Sequence, residues 1–213
     1  GAAEWAHRGQ MLLKARADAG AYESLVRSVQ LDPTVEAMFT GLVDAASGSP
    51  ERLGNARRLL ESVVSRRPGA VPARAALARL LAATGAVDSA VSQAQAVIAA
   101  EPSSAGGTEL LASILADAGD LARLQPLVER MRQRFPEREE TLYYEALSSF
   151  LAGRPQEAIA RAERLVRTNP RHVLAQNLIG SASAQLGLRD RARAAFLASL
   201  AANPREASTY ANL

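Results

Sequence analysis

The feature that most constrains this chain is a set of prolines that recur at a nearly constant interval. They are Pro33, Pro68, Pro102, Pro136, Pro170 and Pro204, and the successive differences in their numbers are 35, 34, 34, 34 and 34. We call them the periodic prolines. An interval of this length is typical of helical-repeat proteins, in which each repeat is one supersecondary unit that stacks on its neighbours. The sequence therefore predicts a solenoid before any local pattern is considered.

Glycines and alanines keep the same interval. Gly85, Gly119, Gly153 and Gly187 each lie midway between two periodic prolines, where a left-handed glycine can end one helix and let the chain reverse. A first row of mostly small residues occupies one place in each period and comprises Ala21, Ala56, Ala90, Leu124, Ala158 and Ala192. A second row lies further upstream in the period and comprises Gly9, Ala78, Ala112, Ala146 and Gly180. Such rows indicate places where two helix backbones come close.

Each period is thus predicted to be a helix, a glycine turn, a second helix and a proline-marked turn. We expect the periodic proline in the first turn of the following helix, where its missing N–H is not needed. The extra residue of the second repeat is expected in the polar turn at 47–50. The predicted helices are 2–17, 21–31, 34–46, 51–66, 71–83, 88–100, 105–117, 121–134, 138–151, 156–168, 172–185, 189–202 and 206–213. Strands are not expected.

Composition excludes several kinds of functional site. The chain has no cysteine, so it has no disulfide framework, thiol nucleophile or cysteine–zinc site. Its only histidines, His7 and His172, should lie several repeats apart, so no metal site is expected. No apolar run approaches the roughly 20 residues that a transmembrane helix needs. Phosphate-loop, dinucleotide-binding and zinc-protease motifs are lacking, and we expect neither catalysis nor a cofactor.

The repeated rows carry a family resemblance. The first period contains Trp5, Gly9, Leu12, Ala21, Leu25 and Pro33, and the sixth contains Ile179, Gly180, Ala192, Phe196 and Pro204. This pattern resembles the tetratricopeptide repeat (TPR), a helix-turn-helix unit of about 34 residues. The resemblance implies an all-α, right-handed superhelical solenoid of antiparallel helix pairs, in a single domain over 1–213. The implied repeats are 2–35, 36–70, 71–104, 105–138, 139–172 and 173–206, with part of a seventh at 207–213.

The resemblance also implies that the first helix of each pair lines a concave groove. Residues four apart on those helices should face the groove. The predicted partner-binding residues, here called the groove residues, are Gln10, Asp44, Arg79, Glu109, Ser113, Tyr143, Asn177 and Ser181. Arg79, Glu109, Tyr143 and Asn177 are predicted to contact the partner. The carboxylate clamp of some family members is not expected, because its lysine, asparagine and arginine side chains are missing at the corresponding positions. Those positions hold Ala6, Gln10, Gly41, Pro72 and Ala76.

Aromatic residues concentrate in the fifth repeat. Tyr143 is predicted to anchor a partner, since aromatic side chains provide much contact area at low entropic cost. For Tyr144 and Phe150 we expect packing between helix pairs instead. Trp5, the only tryptophan, is expected in the core, and His172 at a turn.

All but one of the 25 basic residues are arginine, which together with the abundance of alanine suggests a bacterial genome rich in G and C. Arginine clusters at 52–67, 130–138 and 161–171 fall mostly on the predicted second helices. They could form a track for nucleic acid or a solvated face paired with interleaved glutamates. The net charge of +3 is small and no aromatic residues alternate with the arginines. We therefore favour the solvated face and expect no nucleic-acid partner.

These observations predict a non-catalytic scaffold that binds a peptide or helix of another protein in its groove. Bacterial relatives imply cell-envelope assembly, polysaccharide export or pilus biogenesis as its setting, in the cytoplasm or the periplasm. The alternative is the repeat arm of a larger enzyme, such as a glycosyl- or sulfotransferase, because the seventh repeat at 207–213 is short. Self-association through exposed ends of the stack is a third prediction. No transmembrane segment is expected.

Overall fold

Twelve α-helices make up the part of the chain that the structure describes, a computed structural model of residues 1–36 and 38–204. The helices are α1 (Ala2–Lys14), α2 (Asp18–Leu31), α3 (Met38–Ala46), α4 (Pro50–Arg66), α5 (Val71–Ala83), α6 (Val87–Ala100), α7 (Gly106–Asp117), α8 (Leu121–Arg134), α9 (Glu139–Leu151), α10 (Pro155–Thr168), α11 (Val173–Gln185) and α12 (Arg189–Ala202). No strand occurs in these ranges. The fold class is the predicted all-α helical-repeat solenoid. The predicted helix at 206–213 and the partial seventh repeat lie outside the described residues.

Consecutive helices form hairpins that stack on one another. In a first compact unit, Gly1–Ile114, α1 packs on α2, α3 on α4 and α5 on α6, while α2 contacts α3 and α4 contacts α5. In a second, Leu115–Leu213, α9 packs on α10 and α11 on α12, while α8 contacts α9 and α10 contacts α11. Helices therefore bury one face within a hairpin and another between hairpins, as nearest-neighbour stacking requires. The single domain over 1–213 stays a prediction.

The glycine turns form as predicted. Gly85, Gly119, Gly153 and Gly187 have φ values of 80, 67, 72 and 74°. In each turn the N–H of the next residue donates to the carbonyl oxygen five residues earlier, as Ala86 does to Leu81 over 2.9 Å. This bond belongs to the Schellman motif, which needs a left-handed residue just after the helix.

The first repeat makes the same turn with an arginine, which corrects two predicted helix bounds. Arg16 occupies the position of the turn glycine and has a φ of 56°. The N–H of Ala17 donates to the carbonyl of Leu12 over 2.9 Å. For this reason α1 ends at Lys14 and α2 begins at Asp18, rather than at 17 and 21. An arginine gives no signal in the sequence that a helix stops there.

The prediction that the periodic prolines lie in the first turn of the following helix is wrong for the five from Pro33 to Pro170, whereas the residues that follow Pro204 lie outside the described ranges. At Pro68, the N–H of Ala70 donates to the carbonyl of Arg67 over 2.9 Å, so the proline is the second residue of a four-residue turn. The same bond closes the turns at Pro33, Pro102, Pro136 and Pro170. Proline suits this place because its ring fixes φ near −65°. The prolines that do lie in the first turn of a helix are Pro50 and Pro155, which begin α4 and α10, and Pro72, the second residue of α5.

The turn at Pro33 also explains why the third helix starts late. The N–H of Thr34 donates to Oδ1 of Asp32 over 2.8 Å, which holds the backbone of this segment outside a helix. α3 therefore begins at Met38 and not at 34. The turn at 47–50 separates α3 from α4, with Ser49 as the N-cap of α4 and Pro50 as its first residue.

The rows of small residues lie inside the hairpins, as predicted. Ala21, Ala56, Ala78, Ala90, Ala112, Ala146 and Ala158 are all 0% exposed. A Cβ added at Gly9 would stand within 3 Å of the Leu25 side chain, and one added at Gly180 within 3 Å of the Phe196 ring. In the fifth repeat the equivalent pair is Ala146 and Ala162, which share one core cluster. In these three repeats, glycine occurs where the facing side chain is leucine or phenylalanine, and alanine where it is alanine.

Candidate functional site

The eight groove residues all lie on the first helices of the hairpins, and none of them is buried. Gln10 is on α1, Asp44 on α3, Arg79 on α5, Glu109 and Ser113 on α7, Tyr143 on α9, and Asn177 and Ser181 on α11. The first five belong to the first unit and the last three to the second. Their side chains are accessible at least in part, and their role in binding stays a prediction.

In the first unit, two groove residues of opposite charge influence each other. Asp44 and Arg79 are both exposed and lie on α3 and α5, which are in contact. Partial desolvation raises the pKa of the Asp44 carboxyl, and the positive charge of Arg79 opposes that rise. This part of the surface therefore presents a carboxylate and a guanidinium together, which suits a partner that carries both signs of charge.

In the second unit, Tyr143 is held by two other rings. The ring of Tyr144 meets it edge-on at a centroid distance of 5.2 Å, and the imidazole of His172 stacks on it at 5.9 Å with an interplanar angle of 29°. Burial raises the pKa of the Tyr143 hydroxyl far above its ordinary value, with further increments from Tyr144 and Asp117. The hydroxyl therefore stays protonated and can donate a hydrogen bond to a partner.

His172 was correctly placed at a turn, but its contact with Tyr143 was not predicted from the sequence. His172 is the N-cap of α11, and its Nδ1 accepts a hydrogen bond of 3.1 Å from the N–H of Ala175. This cap fixes the imidazole ring of His172 at the start of α11, next to Tyr143 on α9. The only sequence signal for this contact was the repeat length, because His172 follows Tyr143 by slightly less than one period. At such a separation, a residue on the first helix of one repeat lies close to the start of the first helix of the next repeat.

Two other aromatic predictions have different outcomes. Phe150 packs against two core clusters of the second unit, as expected. Trp5 was predicted in the core, and this is wrong, because its side chain is only half-buried and the guanidinium of Arg8 lies 5.2 Å from the ring centroid. Tryptophan is rarely covered completely because of its size, and an arginine over the ring shields the remaining apolar face.

A polar cleft that was not predicted from the sequence lies between α8, α9 and α10 in the second unit. Its volume is about 410 Å³, and it is lined by Gln125, Val128, Glu129, Arg132, Glu145, Ser148, Ser149, Arg154 and Arg161. We call it the α8–α10 cleft. The three residues from α9 are buried, so they form its floor, whereas the arginines lie nearer its mouth.

A buried carboxylate stands at this floor. Glu145 is only 8% exposed, and its Oε2 accepts a hydrogen bond of 3.3 Å from Nη1 of Arg161. Arg161 also donates to Oε1 of Glu157 through Nε at 3.0 Å and Nη2 at 2.7 Å. The hydroxyl of Ser149 donates to the backbone carbonyl of Glu145 over 3.1 Å. Because a buried charge is costly unless it is paired, Arg161 is what makes Glu145 tolerable here.

The other carboxylates around the cleft are also held by arginines. Hydrogen bonds from Arg132 and Gln133 lower the pKa of Glu129, and a hydrogen bond from Arg161 lowers the pKa of Glu157. Both carboxylates are therefore ionised at neutral pH, and the cleft carries fixed charges of both signs.

Comparison of the repeats could have revealed this cleft. The position of Glu145, immediately before the second row of small residues, is occupied by Leu77, Leu111 and Ile179 in the third, fourth and sixth repeats, and all three are buried. Ser148 likewise stands where those repeats have Leu80, Ile114 and Ala182. Polar residues at positions that are apolar in the other repeats were therefore the sequence signal for this cleft.

Some arginines outside the cleft pair with glutamates, as a solvated face allows. Arg57 lies 2.8 Å from Glu61, and Arg191 lies 2.5 Å from Glu163. Within residues 1–36 and 38–204, no group of three histidine, aspartate or glutamate side chains is placed to hold a metal ion. Over the same residues, no helix has the length and apolar character needed to cross a bilayer.

Comparisons with known proteins find the same kind of repeat. Family models described as tetratricopeptide repeat match residues 49–114 and 125–207. A tetratricopeptide repeat protein from Parabacteroides merdae ATCC 43184 matches with a TM-score of 0.71 and 14% identity, over 99% of this chain and 83% of that one. A thermophilic TPR protein from Thermus thermophilus matches with a TM-score of 0.66 and 15% identity, over 85% and 98%.

A third solved structure is YrrB, described as a TPR protein with an unusual peptide-binding site. It matches with a TM-score of 0.51 and 13% identity, over 89% of this chain and 97% of that one. At such identities these three structures establish a common fold and nothing more. The curated proteins contain no match to this chain.

Proposed function

Because the chain belongs to the tetratricopeptide repeat family, whose members are generally non-catalytic protein-interaction scaffolds, we propose that it binds a peptide or helix of a partner protein along its first helices. The groove residues form the binding surface, and Tyr143 is its anchor. The observation that carries this proposal is the support of the half-buried Tyr143 ring by Tyr144 and His172.

Tyr143 is suited to this role because its geometry is set before a partner arrives. A ring already restricted by two neighbours loses little conformational entropy on binding, so more of the contact energy appears as affinity. Its protonated hydroxyl adds a directional hydrogen bond, while the remaining ring surface provides apolar contact. Asn177 and Ser181 on α11 supply polar groups on the neighbouring first helix.

In the first unit, the proposed contacts are polar. Asp44 and Arg79 present opposite charges, and Gln10, Glu109 and Ser113 add amide, carboxylate and hydroxyl groups. Charged groups at the rim of an interface contribute more to orientation and association rate than to affinity. We therefore assign an orienting role to the charged groove residues of the first unit and an anchoring role to Tyr143 of the second.

The nature of the ligand is supported by one relative, and the setting by none. YrrB is described as having an unusual peptide-binding site, which is in line with a peptide ligand for a chain of the same fold. Cell-envelope assembly, polysaccharide export and pilus biogenesis remain settings predicted from the family resemblance.

The test is to select peptides from a random library on the full chain and to measure their affinities for variants. We expect Tyr143→Ala to weaken binding by about tenfold or more, the loss typical of a hot-spot residue. Arg79→Glu should weaken it less and should mainly slow association.

The matched control is Tyr22→Ala. Tyr22 is also half-buried, but it lies on α2, a second helix, so its loss should leave the affinity unchanged. Equal affinities of the wild-type and Tyr143→Ala proteins for every selected peptide would refute Tyr143 as the anchor.

A further inference from the structure

We propose that the α8–α10 cleft is a second binding site, which receives acidic side chains of a partner polypeptide. This site is separate from the groove. Tyr143 and Glu145 are two residues apart on α9 and therefore point about 200° apart around the helix axis. The groove and the cleft can thus be occupied independently.

The cleft offers more hydrogen-bond donors than the protein uses. Each guanidinium group carries five N–H donors and no acceptor. Arg132 donates to Glu129 through Nε at 3.0 Å and Nη2 at 2.8 Å, and Arg154 meets Glu157 through Nη1 at 2.9 Å. These contacts use Nε and Nη2 of Arg132 and Nη1 of Arg154, and each guanidinium carries N–H donors beyond those that the contacts occupy. These donors match the oxygens of a carboxylate, which arginine binds in a planar, two-bond arrangement.

The existing partners of these arginines do not block such a ligand. The Arg132 and Arg154 side chains are 58% and 54% exposed. Arg132 pairs with Glu129 on α8, and Arg154, the N-cap of α10, pairs with Glu157. Exposed pairs of this kind contribute little to stability. A carboxylate of a partner can therefore add to them or replace them at little cost to the fold.

The distribution of charge favours an acidic partner at this end of the sequence. Residues 1–114 contain 11 basic and 11 acidic residues, whereas residues 115–213 contain 14 arginines and 11 acidic residues. The whole net charge of +3 therefore lies in the second unit. An excess of this sign attracts acidic segments and raises their rate of encounter, most strongly at low ionic strength.

Glu145 sets how deeply a ligand can enter. Its buried negative charge at the floor repels a second carboxylate, so an acidic side chain binds at the mouth, to Arg132 and Arg154. The volume of about 410 Å³ leaves room there for side-chain-sized groups. Removing the charge of Glu145 should therefore strengthen the binding of an acidic ligand, an effect opposite in sign to that of removing an arginine.

The test is to titrate fluorescein-labelled hexaglutamate with the full chain at low salt and to follow fluorescence anisotropy. We expect saturable binding that Arg132→Gln/Arg154→Gln weakens by about tenfold or more, and that Glu145→Gln strengthens several-fold. Arg57→Gln is the matched control, because Arg57 is an exposed arginine paired with Glu61 on α4 of the first unit. It should leave the affinity unchanged, and thermal unfolding should show that every variant folds.

Several results would overturn the proposal. They are the absence of saturable binding, an equal loss in Arg57→Gln and in the double variant, and tighter binding of hexalysine than of hexaglutamate. Tighter binding of single-stranded DNA that also depends on Arg132 would reassign the cleft to nucleic acid. Loss of hexaglutamate binding in Tyr143→Ala would move the site to the groove, whereas the groove proposal itself is decided separately by the library-selected peptides.

Discussion

The backbone of Gly180 on α11 lies directly against the aromatic ring of Phe196 on α12, so closely that a Cβ at position 180 would stand within 3 Å of three ring atoms. Phe196 is 3% exposed and has little room to move away. The same relationship joins Gly9 and Leu25 in the first repeat. These two hairpins therefore depend on a residue without a side chain.

Replacing Gly180 tests this dependence. We expect Gly180→Ala to lower the free energy of unfolding by about 1–3 kcal/mol, since overpacking a close contact costs this much and exceeds the roughly 0.5–1 kcal/mol that alanine gains in a helix. Gly54→Ala is the control, because Gly54 lies within α4 and an added Cβ meets nothing within 4 Å. That variant should become more stable. Urea denaturation measures both, and a Gly180→Ala protein as stable as the wild type would contradict the prediction.

Overpacking can also be tested within α10. Ala158 is 0% exposed and shares a core cluster with Ile159 and Ala182. We expect Ala158→Trp to lower the free energy of unfolding by about 1–3 kcal/mol or more, because the helices around it must move apart. Ala160→Trp, two residues further along and exposed, should change stability little. If both variants unfold at the wild-type temperature in a thermal scan, the alignment of the repeats is wrong.

The His172 cap at the start of α11 should stabilise the fold independently of the stacking of the His172 ring on Tyr143. We expect His172→Ala to lower the free energy of unfolding by about 1 kcal/mol, the usual loss when a capping side chain is removed. His172→Asn should retain most of the stability, because asparagine also caps helices, although it removes the stack on Tyr143. Chemical denaturation of the two variants separates the two roles. Equal losses would show that the ring contact, and not the cap, stabilises this junction.

Two aspartates should respond to acid in opposite ways. At Asp120, the N-cap of α8, hydrogen bonds from the backbone and side chain of Arg123 lower the carboxyl pKa. The unfolded chain then binds the proton more tightly, so the ionised group stabilises the fold above its unfolded pKa of about 3.9. That stabilisation is lost as the pH falls through the lowered value. At Asp44, burial raises the pKa, so ionisation is a cost at neutral pH that disappears in acid.

Stability measured across pH checks these signs. We expect Asp120→Ala to be less stable than the wild type at neutral pH, with a difference that shrinks in acid. Asp44→Asn should be at least as stable as the wild type at neutral pH, and Arg79→Gln should raise the Asp44 pKa further in a carboxyl NMR titration, since it removes the opposing charge. An Asp44 pKa below its ordinary value in the wild type, or one that falls in Arg79→Gln, would contradict the assigned cause.

Most of the fold follows from short-range patterns. Glycine turns, rows of small residues and helical periodicity are local signals, so most helix ends fall within one residue of the prediction. The failures are also local in origin. Arg16 adopts a backbone conformation for which glycine is the usual signal, and the periodic prolines serve a turn instead of a helix start.

The sites were harder to predict because they depend on contacts between helices. The accessibility of the groove residues follows from the helical face on which they lie. The stack of Tyr143 on His172 depends on the distance between neighbouring hairpins, which a single period does not reveal. Glu145 differs from its equivalents Leu77, Leu111 and Ile179, so its cleft was detectable only by comparing one repeat with the others.

The polar residues that α9 contributes to the floor of the α8–α10 cleft also affect how cooperatively the stack of helix hairpins unfolds. A leucine or isoleucine at this position adds about 1.5–3 kcal/mol of apolar burial to its junction, whereas Glu145 adds a charge whose desolvation offsets the gain from Arg161. In a linear array, coupling between neighbours decides how far local fraying spreads. We therefore expect weak coupling at the junction between α8 and the α9–α10 hairpin. Partial unfolding that starts on one side of this junction can stop there, while the helices on the other side stay folded.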